Sequence, residues 1–194
     1  ISSAAFLMVA GLITADSELI IQDVGLNPTR AGVIEALEKM EANLELVNER
    51  EVNGEPIADV KVTTNQLSGT TIEGDLIPLL IDEIPILAVA ATQAEGKTVI
   101  KDAEELRVKE TDRITAMVTE LEKMGVEVTE REDGLEIVGP QQLTGGVDCN
   151  SYHDHRVAMS LAVAGLIADQ PIKIKDADCI DVSLPEFAKL LTSL

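Results

Sequence analysis

Tryptophan is absent from the chain, and its aromatic residues are Phe6, Phe187 and Tyr152 alone. A core must therefore be built from Ala, Val, Leu, Ile and Met, and platforms for stacking unpaired bases are missing. Positive charge is also scarce. Fifteen Lys and Arg face 35 Asp and Glu, a formal net charge of −20. Such a surface repels phosphate backbones and anionic lipid, which argues against nucleic-acid and membrane-surface roles. The two cysteines, Cys149 and Cys179, lie in no CxxC or Cys/His cluster. No structural zinc site and no disulfide framework is expected, and the compartment implied is reducing and cytoplasmic. The longest nearly apolar runs, Ala4–Ile13 and Val157–Ala168, fall short of the ~18 residues of a membrane span. No Gly-rich phosphate loop, GxSxG or HExxH occurs, and no metal site is expected.

What is there fits a globular protein. The 194 residues are 45% hydrophobic and 26% charged, enough for one domain or two small ones that bury roughly 70% of the unfolded surface. The chain starts at Ile1, without Met and already inside a helical pattern, which leads us to expect that sequence precedes it.

Three segments share one plan: Ser2 to Val24, Asp82 to Ala103 and His153 to Ala177. Each reads as an apolar, Ala-rich helix of about three turns, a short turn, and a strand ending in Asp23, Asp102 or Asp176. A second, amphipathic helix follows each, expected over Pro28–Met40, Thr111–Met124 and Leu184–Leu194. The first two end in the same tetrad, Leu37-Glu38-Lys39-Met40 and Leu121-Glu122-Lys123-Met124. Strand pairs are expected next, Asn43–Asn48 with Ala58–Thr64 and Val126–Arg131 with Leu135–Gly139, the latter joined at Glu132-Asp133-Gly134. The third copy stops after its second helix, so its closing strands are absent or supplied from preceding sequence.

The first helix of each copy is apolar nearly all round and must be buried. Its small residues, among them Gly11, Ala90, Ala91, Ala158, Ala162 and Gly165, permit close helix approach. The expected fold is an α/β (α+β) pseudo-threefold of βαβαββ-like units, with buried inner helices and mixed sheets outside. Its units span about 1–75, 76–140 and 141–194. The period of about 75–80 residues exceeds the ~33–47 of common helical solenoids.

In such an arrangement the inner helices begin at one common end, at Ser2-Ser3, Asp82-Glu83 and His155-Arg156. Helix N-termini attract anions. The one dense basic cluster, Arg107, Lys109 and Arg113 with Arg156, belongs beside them, so an anion-binding face is expected. Each residue also has a plainer role. Asp82 is a ready N-cap, as are Thr111 and Asp112. Lys109 and Arg113 suit surface ion pairs with Glu110 or Asp112. His155, beside Asp154, reads as a satisfied structural histidine, and Arg30 as a surface residue.

The words Arg107-Val108-Lys109-Glu110-Thr111-Asp112-Arg113, Asp154-His155-Arg156 before an apolar helix, and Ser2-Ser3-Ala4-Ala5-Phe6 resemble the EPSP synthase family of enolpyruvyl transferases. The resemblance runs along essentially the whole chain, and it is to the C-terminal of two domains. It implies that residues 1–194 are one such domain, with the N-terminal domain lying elsewhere. It implies transfer of the enolpyruvyl group of phosphoenolpyruvate to the 5-hydroxyl of shikimate 3-phosphate, with phosphate leaving. The implied path is addition and elimination through a tetrahedral intermediate, without cofactor.

By resemblance, Asp82 matches the catalytic aspartate that orients the 5-hydroxyl and takes its proton. Glu110 matches the acid near the phosphoenolpyruvate methylene. Lys109 matches a contact to shikimate 3-phosphate, Arg113 and Arg156 the clamp on phosphoenolpyruvate, and His155 a hydrogen-bonding neighbour of the acid. Some members carry Lys where this chain has Val182. Three readings follow: half of such an enzyme, inactive when isolated and monomeric when complete; half of the sibling that uses a UDP-amino sugar; or a non-catalytic anion-binding repeat domain.

Overall fold

The computed structural model describes residues 1–192. Helix α1 (Ser2–Ile13) leads into strand β1 (Glu18–Gly25), helix α2 (Gly32–Lys39) and the hairpin β2 (Leu44–Val52) and β3 (Glu55–Thr63). A short β4 (Thr71–Ile72) and 3-10 turns over Gly74–Leu79 and Ile81–Glu83 precede α3 (Ile84–Gln93) and β5 (Gly96–Ile100). Another 3-10 turn, Glu104–Val108, leads to α4 (Arg113–Lys123) and the hairpin β6 (Val128–Arg131) and β7 (Gly134–Gly139). The last unit holds β8 (Asp148–Asn150), α5 (His155–Gly165), β9 (Lys173–Lys175), a 3-10 turn over Ala177–Val182, and α6 (Phe187–Leu191). The helix expected over 184–194 is thus shorter, and its residues 193 and 194 lie outside the described residues.

The three Ala-rich helices α1, α3 and α5 touch one another pairwise at the centre. Their residues are buried almost throughout, as an all-round apolar helix requires. Helices α2 and α4 bury one face each, through Val33, Ile34 and Leu37 and through Ile114, Met117 and Leu121. The ring closes between the first and last elements. Phe6 of α1 meets Phe187 of α6 edge to face, with centroids 6.0 Å apart, a pairing worth about 0.5–1.5 kcal/mol beyond its burial.

Three sheets lie outside the helices, ordered β1-β3-β2, β4-β5-β7-β6 and β8-β9. Only the second is mixed, because β4 runs parallel to β5 while the other pairs are antiparallel. The first is wholly antiparallel, and the third is a parallel pair. In the third unit no hairpin follows α6 among the described residues.

The repeat extends to details of backbone. Asp23, Asp102 and Asp176 all take left-handed φ values, of 58°, 59° and 54°, a conformation Asp tolerates better than most residues. Asp23 sits at a bulge inside β1, which therefore continues to Gly25. The two matching tetrads end on Met40 and Met124, both fully buried. Their carbonyls accept from Ser68 N and Thr144 N, each at 2.8 Å. A further repeat appears there, Gln66-Leu67-Ser68-Gly69 against Gln142-Leu143-Thr144-Gly145. Leu67 O accepts from Glu95 N at 2.7 Å, and Leu143 O from Asp169 N at 3.0 Å. Both glycines let backbones touch. A Cβ at Gly69 would lie 2.6 Å from Lys97 O, and one at Gly145 would fall on the carbonyl of Gln170.

The first hairpin is longer than the pattern of apolar residues predicts. Strands β2 and β3 run to Val52 and Glu55, joined by Asn53-Gly54 with φ of 53° and 82°. Positive φ at both residues marks the tight turn that Asn-Gly favours.

Candidate active site

The N-termini of α1, α3 and α5 share one end of the helix trio, and of the cations expected there Lys109, Arg113 and Arg156 converge on Asp82. That residue is no cap. Glu83 holds the cap position of α3 without a side-chain capping bond, and the Asp82 carboxylate turns instead to cations. Asp82 Oδ1 accepts from Arg113 Nη1 at 2.9 Å. Its Oδ2 lies 3.3 Å from Arg156 Nη2, and Lys109 Nζ stands 4.0 Å from Oδ1. Burial works against the charged form of Asp82. The charges of Arg156 and Arg113, the hydrogen bond from Arg113 and the charge of Lys109 outweigh it, so the carboxyl is held below its usual range.

Arg113 is the hub. It opens α4, and its side chain is only 1% exposed. Each guanidinium nitrogen takes a carboxylate from a different segment. Nη1 donates to Asp82, Nη2 to Glu110 Oε2 at 2.6 Å, and Nε to Asp154 Oδ2 at 2.8 Å. A charged fork this deeply buried requires such partners. The second N–H on each terminal nitrogen is uncommitted by these bonds. Glu110 is the loosest of the three acids, with a side chain 52% exposed.

Arg156 reaches across from α5. Its Nη1 donates to the carbonyl of Asp82 at 3.0 Å and to buried Glu83 Oε1 at 3.2 Å. Lys109 donates to Glu105 Oε1 at 2.7 Å. The cations are therefore paired rather than presented as an open positive patch. Arg107 leaves the group altogether. It donates to the carbonyl of Glu132 and bonds Asp112 and Glu130, which fastens the β6–β7 turn. Arg30 stays at the α1 end, donating to Ser2 Oγ at 3.2 Å.

Asp154 joins this group; in the sequence it opens the Asp154-His155-Arg156 word with no role beyond standing beside His155. It is fully buried. Its Oδ1 accepts from Arg156 N at 2.8 Å and from Val157 N at 3.3 Å, capping α5, while Oδ2 holds Arg113. Its signal was an Asp just before an apolar helix, the usual N-cap pattern. Asp112 caps α4 in the same way, accepting from Thr115 N at 3.0 Å.

The turn entering α5 is strained. Tyr152 and His153 have φ of 55° and 59°, which costs about 1–2 kcal/mol for each residue with a side chain. Three bonds hold it: Tyr152 N to Asn150 Oδ1, His153 N to Ser151 Oγ, and Asp154 N to Ser151 O. His155 follows. Burial first, then the charge of Arg156, lowers its pKa, and Arg113 adds to this against the opposing pull of Asp154 and Glu110. No side-chain hydrogen bond joins His155 to an acid among the described residues. Val182 stands 88% exposed. The described residues contain no candidate metal cluster and no helix long and apolar enough to cross a membrane.

The family whose sequence profile matches residues 1–191 is EPSP synthase (3-phosphoshikimate 1-carboxyvinyltransferase). The chain belongs to the EPSP synthase family. It is 53% identical over 194 residues to the 3-phosphoshikimate 1-carboxyvinyltransferase of Petrotoga mobilis, covering 100% of this chain and 45% of that protein. The protein of that name from Desulforudis audaxviator is 56% identical over the same share of each chain. EPSP synthase from Acinetobacter baumannii superposes with a TM-score of 0.95 at 44% identity, over 99% of this chain and 45% of that one. The enolpyruvyl transferase NikO from Streptomyces tendae shares the fold, with a TM-score of 0.79 at 20% identity, over 100% of this chain and 42% of that one. The chain thus spans about half the length of the relatives it matches.

Proposed function

We propose that residues 1–194 form the C-terminal domain of an enzyme that moves the enolpyruvyl group of phosphoenolpyruvate to the 5-hydroxyl of shikimate 3-phosphate. The observation that carries this reading is the meeting of Asp82, Lys109, Glu110, Arg113 and Arg156 at the shared end of the inner helices. A purely structural repeat has no need of charged side chains at all those helix ends.

The chemistry follows from the pairings. In the first step the 5-oxygen bonds to C2 of phosphoenolpyruvate, its proton passes to Asp82, and the methylene carbon C3 takes a proton from Glu110, which is protonated once it is released from Arg113. In the second, C3 returns a proton to Glu110, the bond from C2 to the phosphate oxygen breaks, and inorganic phosphate leaves with the proton held by Asp82. Asp82 with a depressed pKa is a weak base on its own. An incoming phosphate and carboxylate share the charges of Arg156 and Arg113 and thereby raise the basicity of Asp82 when substrate is present. The same anion competes with Glu110 for Arg113 Nη2. Glu110, released, is free to carry protons at C3, and Arg113 and Arg156 then grip the anion through charge-assisted bonds. Lys109 serves shikimate 3-phosphate, and His155 stands beside Glu110 as a neutral polar neighbour.

Residues 1–194 act as one domain, with units of about 1–75, 76–140 and 141–194. The remaining half of the same polypeptide closes over this face, and the complete protein is a cytoplasmic monomer without cofactor. Relatives of roughly twice this length support the presence of a second half.

The test is phosphate release from phosphoenolpyruvate plus shikimate 3-phosphate by the protein carrying both halves, alongside its Asp82→Ala variant. Turnover that collapses in the variant is expected. Activity with a UDP-amino sugar instead would move the chain to the sibling reaction. A folded protein silent with both acceptors would leave an anion-binding domain. The 194 residues alone should fold without turnover.

A further inference from the structure

Another buried acid lies about two helical turns beyond Arg113 on the same face of α4. Glu120 has a side chain 0% exposed. Its Oε1 accepts from Tyr152 Oη at 2.7 Å, its Oε2 from Asn150 N at 3.0 Å, and Lys123 Nζ donates to both at 2.8 Å. Burial first, then the bond to Glu120 and the charge of Glu120, pushes the Tyr152 hydroxyl up to about 12. Tyr152 is therefore a hydrogen-bond donor throughout the physiological range.

Helix α4 thus grips the segment 150–154 at two points. Glu120 holds the entry at Asn150 and Tyr152, and Arg113 holds the exit at Asp154. Between them sit the two left-handed residues Tyr152 and His153. After them and Asp154 come His155 and Arg156, whose direction depends on how that turn is set. Two successive side-chain-bearing residues in this conformation persist only where the surroundings fix them. Among the described residues, Tyr152 Oη ties the strained pair to α4, while His153 Nε2 lies 4.0 Å from Asp176 Oδ2.

We propose that Glu120, acting through Tyr152, is a positioning residue for Arg156 and His155, setting the α5 entry turn so that both face Asp82 and Glu110. The kinetic half of this proposal rests on the enolpyruvyl-transfer reading; the structural half does not. A tie that served stability alone would leave the kinetics of the folded protein unchanged.

The test uses the complete protein with Tyr152→Phe, which removes only the hydroxyl, and Glu120→Gln, which keeps the volume but loses the charge and one acceptor oxygen. Kinetics are read well below the unfolding temperature of each variant. Both variants should raise KM for phosphoenolpyruvate about tenfold, as small misplacements of binding groups do, with KM for shikimate 3-phosphate within about twofold. Hydrogen exchange should quicken at the amides of residues 150–157 and stay unchanged across α3. Unaltered KM for phosphoenolpyruvate in an active, folded Tyr152→Phe protein overturns the proposal and leaves the reaction standing. An inactive parent protein removes the reaction, and exchange then decides the positioning role by itself. Unaltered exchange at 150–157 overturns it.

Discussion

Removing the Asp154 carboxylate tests whether Arg113 is anchored as described. Asp154 is 0% exposed and the Arg113 side chain 1%, so solvent screens their bond little. Truncating one member of a buried ion pair costs about 3–5 kcal/mol. Here Arg113 keeps Asp82 and Glu110, which places the ionic loss near the lower end of that range. Loss of the α5 cap adds about 1 kcal/mol. Asp154→Ala should therefore destabilise the domain by roughly 4 kcal/mol. Asp154 uses one oxygen for the cap and the other for Arg113 Nε. Asn has a single oxygen and turns its amide donor toward one of these N–H groups, so Asp154→Asn should also cost about 2–4 kcal/mol. Urea unfolding of the 194-residue chain, followed by far-UV circular dichroism because tryptophan is absent, measures both. Pairing Asp154→Ala with Arg113→Met should cost at least about 1 kcal/mol less than the sum of the single changes. An Ala variant within about 1 kcal/mol of the parent, or strict additivity, would refute the anchoring argument.

The remaining predictions concern protons, the fork and the backbone. The chain has two histidines, His153 and His155, so both resolve in a proton NMR titration, and His155 should show a midpoint below its ordinary 6.5. The folded state then binds fewer protons than the unfolded chain in that window. Its contribution to stability is present above about 6.5 and is lost as pH falls through the folded value; a midpoint at or above 6.5 counts against the burial described. In the complete protein, Arg113→Lys should impair phosphoenolpyruvate use more than shikimate 3-phosphate binding, since an ammonium cannot reproduce a fork; equal losses would oppose the assignment. Gly145→Ala, which drives a methyl group onto the Gln170 carbonyl, should cost about 1–3 kcal/mol in urea unfolding. Gly25→Ala, with nothing near its Cβ, should fall within about 0.5 kcal/mol of the parent, and the reverse order would contradict the strand packing.

The helix plan was legible because it depends on composition over a dozen residues. Ala88, Val89, Ala90 and Ala91 have no polar face to offer solvent, so α3 had to be central. The shared tetrads were also readable, although their cause, a buried Met whose carbonyl receives the next segment, appears only in three dimensions. Two local signals were in plain view and went unread: Asn53-Gly54, which extends the first hairpin, and the Gln-Leu-Ser/Thr-Gly repeat. The site was half legible. Charged residues at helix starts and the basic cluster pointed to Asp82, Lys109, Arg113 and Arg156, and the family resemblance added Glu110, but spacing along the chain could not reveal which acid each cation meets. Arg113 is bound to Asp154 41 positions away, and Arg107, four positions after Ala103, turns to a different hairpin. Such pairings are fixed by tertiary approach, which leaves no periodic trace.

That pairing changes what a basic cluster on an acidic protein means. An unpaired cation at this face would be held in water and would bind many anions weakly. Arg113 instead lies at the junction of α4, the α3 entry and the α5 cap, with its plane fixed by three carboxylates. A fork fixed before the ligand arrives loses little conformational freedom on binding, which is the advantage of preorganisation. Two of its acids are constrained, Asp154 by capping and Asp82 by a second arginine. Glu110, in an exposed loop, is the one that exchange can displace at small cost. In the proposed reaction, the acid given up on binding is then the one required next for proton transfer, so substrate binding and catalytic readiness are joined through a single guanidinium.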